Sequence, residues 1–329
     1  MNLNLYDKDL NRISIIGNNY KSCLWAEGYN SMQPFTVELP LINEYKQKLK
    51  KDFYIGRDDR QTLMVIRSIE YKRDTIEVKG YQATQILDDS AFVGIIDEGT
   101  NIDSSIPLAY NKSTKVYNLE FAKSQTGSIY ESQISNKSML ELCEIMCQAT
   151  DSGVRVVRSG KQIKAQLYKP VEKENLVFSE FFGNLKVEAI KISTENEKNF
   201  AIVLGDGEGE ARTRVDVDLT DGAARKEIIV DARDIQQEEG ESLANYQSRL
   251  RARGIEKLLE HSNVFQVSVI PSSADFGKKY DLGDILTIRL TDYGITTTAR
   301  VVRFVEKSQK NVSTVTVDIG NILKIKRRK

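Results

Sequence analysis

A single histidine, His261, restricts the acid–base and nucleophilic chemistry open to this sequence of 329 residues. A Ser-His-Asp or Cys-His site would have to use it, and no nucleophile motif stands near it. Its place at the end of a predicted helix suits contact with free backbone carbonyls. Cys143 and Cys147 lie four apart, on one helical face. That spacing could begin a metal site, but zinc wants four ligands and no second close pair follows. Both read as partly buried core thiols, since a free Cys packs as a small apolar residue. Gly205-Asp206-Gly207-Glu208-Gly209-Glu210 lacks the Lys-Ser/Thr of a phosphate loop and the spacing of a calcium loop. It reads as a tight, glycine-permitted connection between two strands. The acidic pairs Asp58-Asp59, Asp88-Asp89 and Glu238-Glu239 read as solvated surface. Trp25, the only tryptophan, could form a carbohydrate platform with Tyr29, but a core or subunit-interface anchor explains it more simply. The expectation is therefore no catalytic residue, no metal and no cofactor: an assembly protein, not an enzyme.

Composition points the same way. Lys+Arg and Asp+Glu both total 47, which argues against a dedicated DNA-binding protein. Any nucleic acid would only pass through. No apolar run approaches a membrane span, so no membrane insertion is expected. No secretory signal is visible at the start. Three cysteines, Cys23 included, suit a reduced cytoplasmic compartment. The basic tail Lys324–Lys329 could contact phosphate or an acidic partner, though such ends are more often mobile.

The elements that must carry these residues are mostly strands. Arg12–Ile16, Phe35–Leu39, Thr62–Tyr71 and Thr75–Val78 show period-two or β-branched patterning. Arg73-Asp74 closes the last two into a hairpin, and Tyr81–Leu87 suits a short helix. From Asp97 to Lys137 the apolar pattern thins and a loop-rich, exposed region is expected, with short strands such as 115–121. Ser138 and Glu141 form a capping box for a helix running to about Thr150. Its apolar stripe is Met139, Leu142, Ile145, Met146 and Ala149, and Gly153 stands as C-terminal cap. Further strands follow at 154–157, 162–167, 185–193, 200–204 and 212–219. A long helix from Ser242 to about Glu260 buries Leu243, Tyr246, Leu250, Leu258 and Leu259, with Gly254 permitting close approach to a neighbour. Glu238, Glu239 and Glu241 suit its N-terminal dipole. The strands 264–270, 285–290, 297–306 and 312–319 complete the chain.

One phrase is written twice. Val65-Ile66-Arg67-Ser68-Ile69-Glu70 and Val301-Val302-Arg303-Phe304-Val305-Glu306 share V-[IV]-R-x-[IV]-E. Each is followed by a charged loop and an alternating strand ending near glycine, Gly80 or Gly320. The strand Phe35–Leu39 before the first copy resembles Leu286–Leu290 before the second. One small β-domain used twice lets three subunits present six equivalent positions, which matches a three-fold object to a six-fold one. Arg67 and Arg303 should then be equivalent, available to pair with Glu70 and Glu306 of neighbouring domains.

The fold class expected is β-rich α+β. Two related tube-like β-barrel or sandwich domains flank a loop-rich middle α+β region. The divisions are 1–95, 96–184 and 185–329, the last holding the helix 242–260.

The chain resembles the tail-hub proteins of phages and prophages, of the siphovirus tail-associated type, related to the central baseplate hub of contractile tails. The resemblance runs through Trp25-Ala26-Glu27-Gly28-Tyr29, Phe35–Pro40, Ile55-Gly56-Arg57-Asp58 and Gly80-Tyr81. It continues through Phe182-Gly183-Asn184-Leu185, Asn199–Gly205 and Tyr280-Asp281-Leu282-Gly283-Asp284-Ile285. It implies a homotrimer under a hexameric tail tube or distal tube protein, with a central channel and a spike, fibre or tail-tip protein beyond. Such a protein assembles in the bacterial host cytoplasm and resides in the tail or baseplate of a phage, prophage or bacteriocin-like particle. Relatives with a wall hydrolase carry it as a C-terminal extension, and nothing after Gly320 is expected to encode one. The alternatives are a receptor- or glycan-binding tip protein using Trp25 and the 97–137 loops, and a cell-wall hydrolase.

Overall fold

The computed structural model describes residues 1–115, 117, 119–261, 264–271, 275–309 and 312–320. The basic tail Lys324–Lys329 lies outside them. Among the described residues the chain is β-rich α+β, dominated by a 13-stranded sheet. Ten strands of that sheet matter most. In the N-terminal part they are β1 (Ser22–Gly28), β2 (Pro34–Pro40), β3 (Tyr54–Arg57), β4 (Leu63–Tyr71) and β5 (Thr75–Gln82). In the C-terminal part they are β6 (Leu185–Ser193), β7 (Val264–Pro271), β8 (Ile285–Leu290), β9 (Ile295–Gln309) and β10 (Val312–Gly320).

The two sets have the same spatial order. The first runs β1-β2-β5-β4-β3; the second runs β6-β7-β10-β9, with β8 along the first part of β9, on the side away from β10. Each repeated phrase forms the first strand of an antiparallel hairpin, β4–β5 or β9–β10. Each also carries a bulge within its V-x-R triplet, between Ile66 and Ser68 and between Val301 and Arg303. An extra residue there bends the strand and sharpens its twist. At the first bulge Gly80 is obligatory, because a Cβ would lie 1.8 Å from the Val65 carbonyl oxygen.

The pairing corrects one equivalence expected from sequence. The strand Ile285–Leu290 corresponds to β3, since both pair with the first hairpin strand. The counterpart of β2 is β7, which pairs with the second. Alternation alone could not distinguish them, because it reports a strand but not its neighbour.

The sets are joined edge to edge: β9 pairs with β1 from Arg303↔Gly28 to Gln309↔Ser22. One core serves both, from Leu3, Trp25, Phe35 and Val78 to Val267, Leu286, Val301 and Ile319. A second core lies between the N-terminal strands and the middle region. It contains the helices α1 (Ile102–Lys112) and α2 (Met139–Ala149). The stretch expected to be loops thus holds a helix capped by Asn101, whose side chain accepts from the Asp103 amide. Its buried stripe, Ile102, Ile106, Ala109 and Tyr110, is interrupted by polar residues and Pro107, which hid the period.

Helix α2 starts as expected, the Ser138 hydroxyl accepting from the Glu141 amide at 3.2 Å. Gly153 instead begins a strand, and Asp151, at φ 54°, takes the left-handed turn after the helix. Ala149, expected in the stripe, is exposed. The helix α3 (Leu243–Glu260) packs on a small three-stranded sheet inserted between β6 and β7. Gly254 sits where a Cβ would meet Val203 and Val217 at 2.6 and 2.7 Å. Tyr246, Leu250 and Leu258 are buried. Leu243 is exposed, and the side chain of Leu259 lies outside the described residues. The glycine-rich segment joins the antiparallel strands Phe200–Leu204 and Arg214–Asp218, and Gly207 and Gly209 take positive φ.

Candidate assembly interface

The seam between the sets gathers the residues singled out in sequence. In the β9–β1 ladder Glu306 stands directly opposite Trp25. The indole is fully buried, edge-on to Phe35 with ring centroids 5.8 Å apart, and its Nε1 donates to Glu27 Oε1 at 2.7 Å. A sugar cannot reach it, so the platform imagined with Tyr29 does not exist in this chain.

Arg57, at the end of β3, crosses the same seam. Its Nη1 donates to Glu306 Oε2 at 2.7 Å, while Nε and Nη2 clasp both oxygens of Asp59 at 2.8 and 2.7 Å. The guanidinium carbon lies 5.3 Å from the Trp25 ring centre. Burial disfavours the charge on Arg57, but Asp59 and Glu306 outweigh it and raise its pKa. Beside this group Glu27 accepts from the Thr62 hydroxyl at 2.9 Å and pairs with Arg60 at 3.3 Å. Arg60 covers Phe276 and Phe304, which stack 4.4 Å apart. Sequence reasoning missed Arg57, Glu27 and Arg60. Their signal was weak, a charged residue beside an apolar strand, and only pairing across the sheet shows that the charges are buried together.

Arg67 and Arg303 occupy corresponding strand positions but meet different partners. Arg67 bonds Asp52, Asp89, Gln85 and the Tyr117 hydroxyl, tying β4 to the middle region. Arg303 donates to Asp318 Oδ2 at 2.6 Å across its own hairpin, and Ser268 holds the other oxygen at 2.6 Å. Glu70 is exposed opposite Glu77. Of the two glutamates, only Glu306 has a neighbouring set beside it.

The remaining chemistry-bearing residues stand apart from the seam. His261 follows α3, with its carbonyl accepting from the Lys198 amide at 2.8 Å. Cys143 and Cys147 are fully buried in the second core. Glu144, between them on α2, is pushed up to about 7 by burial and then by Asp88 and Glu141. Among the described residues, no helix is long and apolar enough to cross a membrane.

Solved structures with a similar fold include tail proteins. The prophage MuSo2 43 kDa tail protein of Shewanella oneidensis superposes with a TM-score of 0.61 at 13% identity, covering 97% of this chain and 98% of its own. The tail protein of Neisseria meningitidis MC58 gives 0.62 at 8% identity, with 97% and 96% covered. Prophage tail protein gp18 of Listeria monocytogenes EGD-e gives 0.57 at 12%, with 98% and 95% covered. At such identities the likeness is one of fold. No curated protein matches the chain in sequence.

The chain shares its fold with these tail proteins. It belongs to the Siphovirus ReqiPepy6 Gp37-like protein family, whose pattern matches residues 110–321.

Proposed function

We propose that this chain is the structural hub of a phage or phage-derived tail. Three copies would place six strand sets in a ring, below a hexameric tail tube or distal tube protein and above a three-fold spike or tip. The ring would leave a central channel. The observation that carries this reading is the repeated order β1-β2-β5-β4-β3 and β6-β7-β10-β9-β8 within one sheet. Two equivalent sets per chain convert three-fold into six-fold symmetry without a second gene product. In this reading residues 1–95 and 185–329 supply the ring, and 96–184 packs beside it. The role is non-enzymatic, with assembly in the bacterial host and residence in the tail or baseplate.

Electron microscopy of the purified protein, with mass from light scattering, tests this. Three-chain particles with six lobes around a hole are expected. A compact single chain that neither forms rings nor binds tail tubes would overturn the hub reading. It would return weight to the receptor-binding and hydrolase alternatives.

A further inference from the structure

A cleft of about 1030 Å³ opens between the N-terminal strands and the middle region. That is the size of a small-molecule site, and the hub reading makes no use of it. It is lined by the turn around Asp9, by Tyr54 of β3, by the end of α1, by the strand Leu119–Phe121 and by the start of the strand Gln162–Tyr168.

The lining defines the ligand. Its charges balance, with Lys8, Lys115 and Lys161 against Asp9, Asp52 and Glu120. A cleft for phosphate, nucleic acid or a metal ion would gather charge of one sign. A wholly apolar ligand would cover these charged groups without offering them a partner. The apolar surface is largely aromatic, and two of its rings, Tyr117 and Phe121, are only half-buried. A sugar ring combines what such a cleft needs. Its C–H faces pack on aromatic faces, and its hydroxyls both donate to carboxylates and accept from amines and amides. We infer that this cleft binds a neutral oligosaccharide, with Tyr117 and Phe121 as its packing faces and Asp9 and Gln162 as its hydrogen-bonding groups.

The packing faces are fixed before any ligand arrives. The Tyr117 hydroxyl accepts from Arg67 Nη1 at 2.9 Å, and its carbonyl accepts from the Tyr110 hydroxyl at 3.1 Å. The Phe121 ring stands 5.4 Å from that of Tyr110. The turn that carries Asp9 is equally constrained. The Asp7 carboxylate accepts from the amides of Asp9 and Asn11 at 2.9 and 2.8 Å, and Leu10 is buried in the second core. Lys161 ties the hairpin turn before Gln162 to Asn11 at 3.1 Å. Little ordering cost is then left for binding. The side chains of Asp9 and Gln162, by contrast, are exposed and make no hydrogen bond or ion pair among the described residues.

This inference goes beyond the hub reading, and its test does not depend on the number of copies. An array of neutral oligosaccharides of glucose, galactose, rhamnose and N-acetylhexosamines is probed with the full chain, and a retained sugar is titrated in solution. Retention is expected. Asp9→Ala/Gln162→Ala removes two exposed side chains without partners, so the fold should stand while affinity falls about tenfold. Phe121→Ala should also weaken binding about tenfold. No retained sugar, or a retained sugar whose affinity both variants leave unchanged, overturns the assignment. So does retention of short peptides on a parallel peptide array in place of sugars.

Discussion

Glu306 and Trp25 face each other across the β9–β1 ladder, and the glutamate's carboxylate reaches past the indole to Arg57 at 2.7 Å. This couples the C-terminal strand set to the N-terminal one through a charge pair that is almost fully buried. Such a pair adds little net stability over an apolar replacement, but removing one partner leaves the other charge stranded. The pair opposes slippage of the register: a one-residue slip would move Glu306 to the opposite face of the sheet.

Glu306→Ala should therefore destabilise the fold by about 3 kcal/mol, toward the low end for a broken buried pair because Asp59 still holds Arg57. The pair Arg57→Met/Glu306→Leu should recover most of that loss. Urea unfolding of both variants checks it; equal losses would remove the seam pair from the account.

Gly254→Ala sets two effects against each other. Alanine favours a helix over glycine by about 1 kcal/mol. Its Cβ, however, would stand 2.6 and 2.7 Å from the methyls of Val203 and Val217. Overpacking of this kind costs about 1–3 kcal/mol, so a net loss is expected, larger for Gly254→Val. Thermal unfolding followed in the insert decides the sign.

Glu144 should make stability fall as pH rises. Its folded-state value is pushed up to about 7 from the ordinary 4.5, chiefly by burial. Between those values the folded chain binds the extra proton and the unfolded chain does not, so stability declines through this window and levels off above it. Glu144→Gln should flatten that part of the profile relative to the parent. Parallel slopes in the two proteins between pH 4.5 and 7 would refute the assignment.

The thiols should be silent in the native protein. Burial pushes Cys23 up to about 12, and Cys143 and Cys147 are raised by burial as well. An aromatic disulfide reagent should label no cysteine at neutral pH until denaturant is added. Rapid native labelling would show that these cores open.

Local pattern decided much of this chain. Period-two alternation located the hairpins β4–β5 and β9–β10, and the repeated V-[IV]-R-x-[IV]-E marked them as copies. Ser138 announced its helix, and Gly254 announced a close approach. These are short-range effects, set by capping geometry, turn chemistry and side-chain alternation, so they are legible in neighbouring residues. The identity of each strand's partner is not short-range. Tertiary structure alone made β7 the counterpart of β2, brought Arg57 and Glu306 together, and buried α1 under a polar-looking sequence. Alternation says which face of a strand is apolar, but any compatible strand can satisfy it. The choice among them is made by the core that all the strands must share.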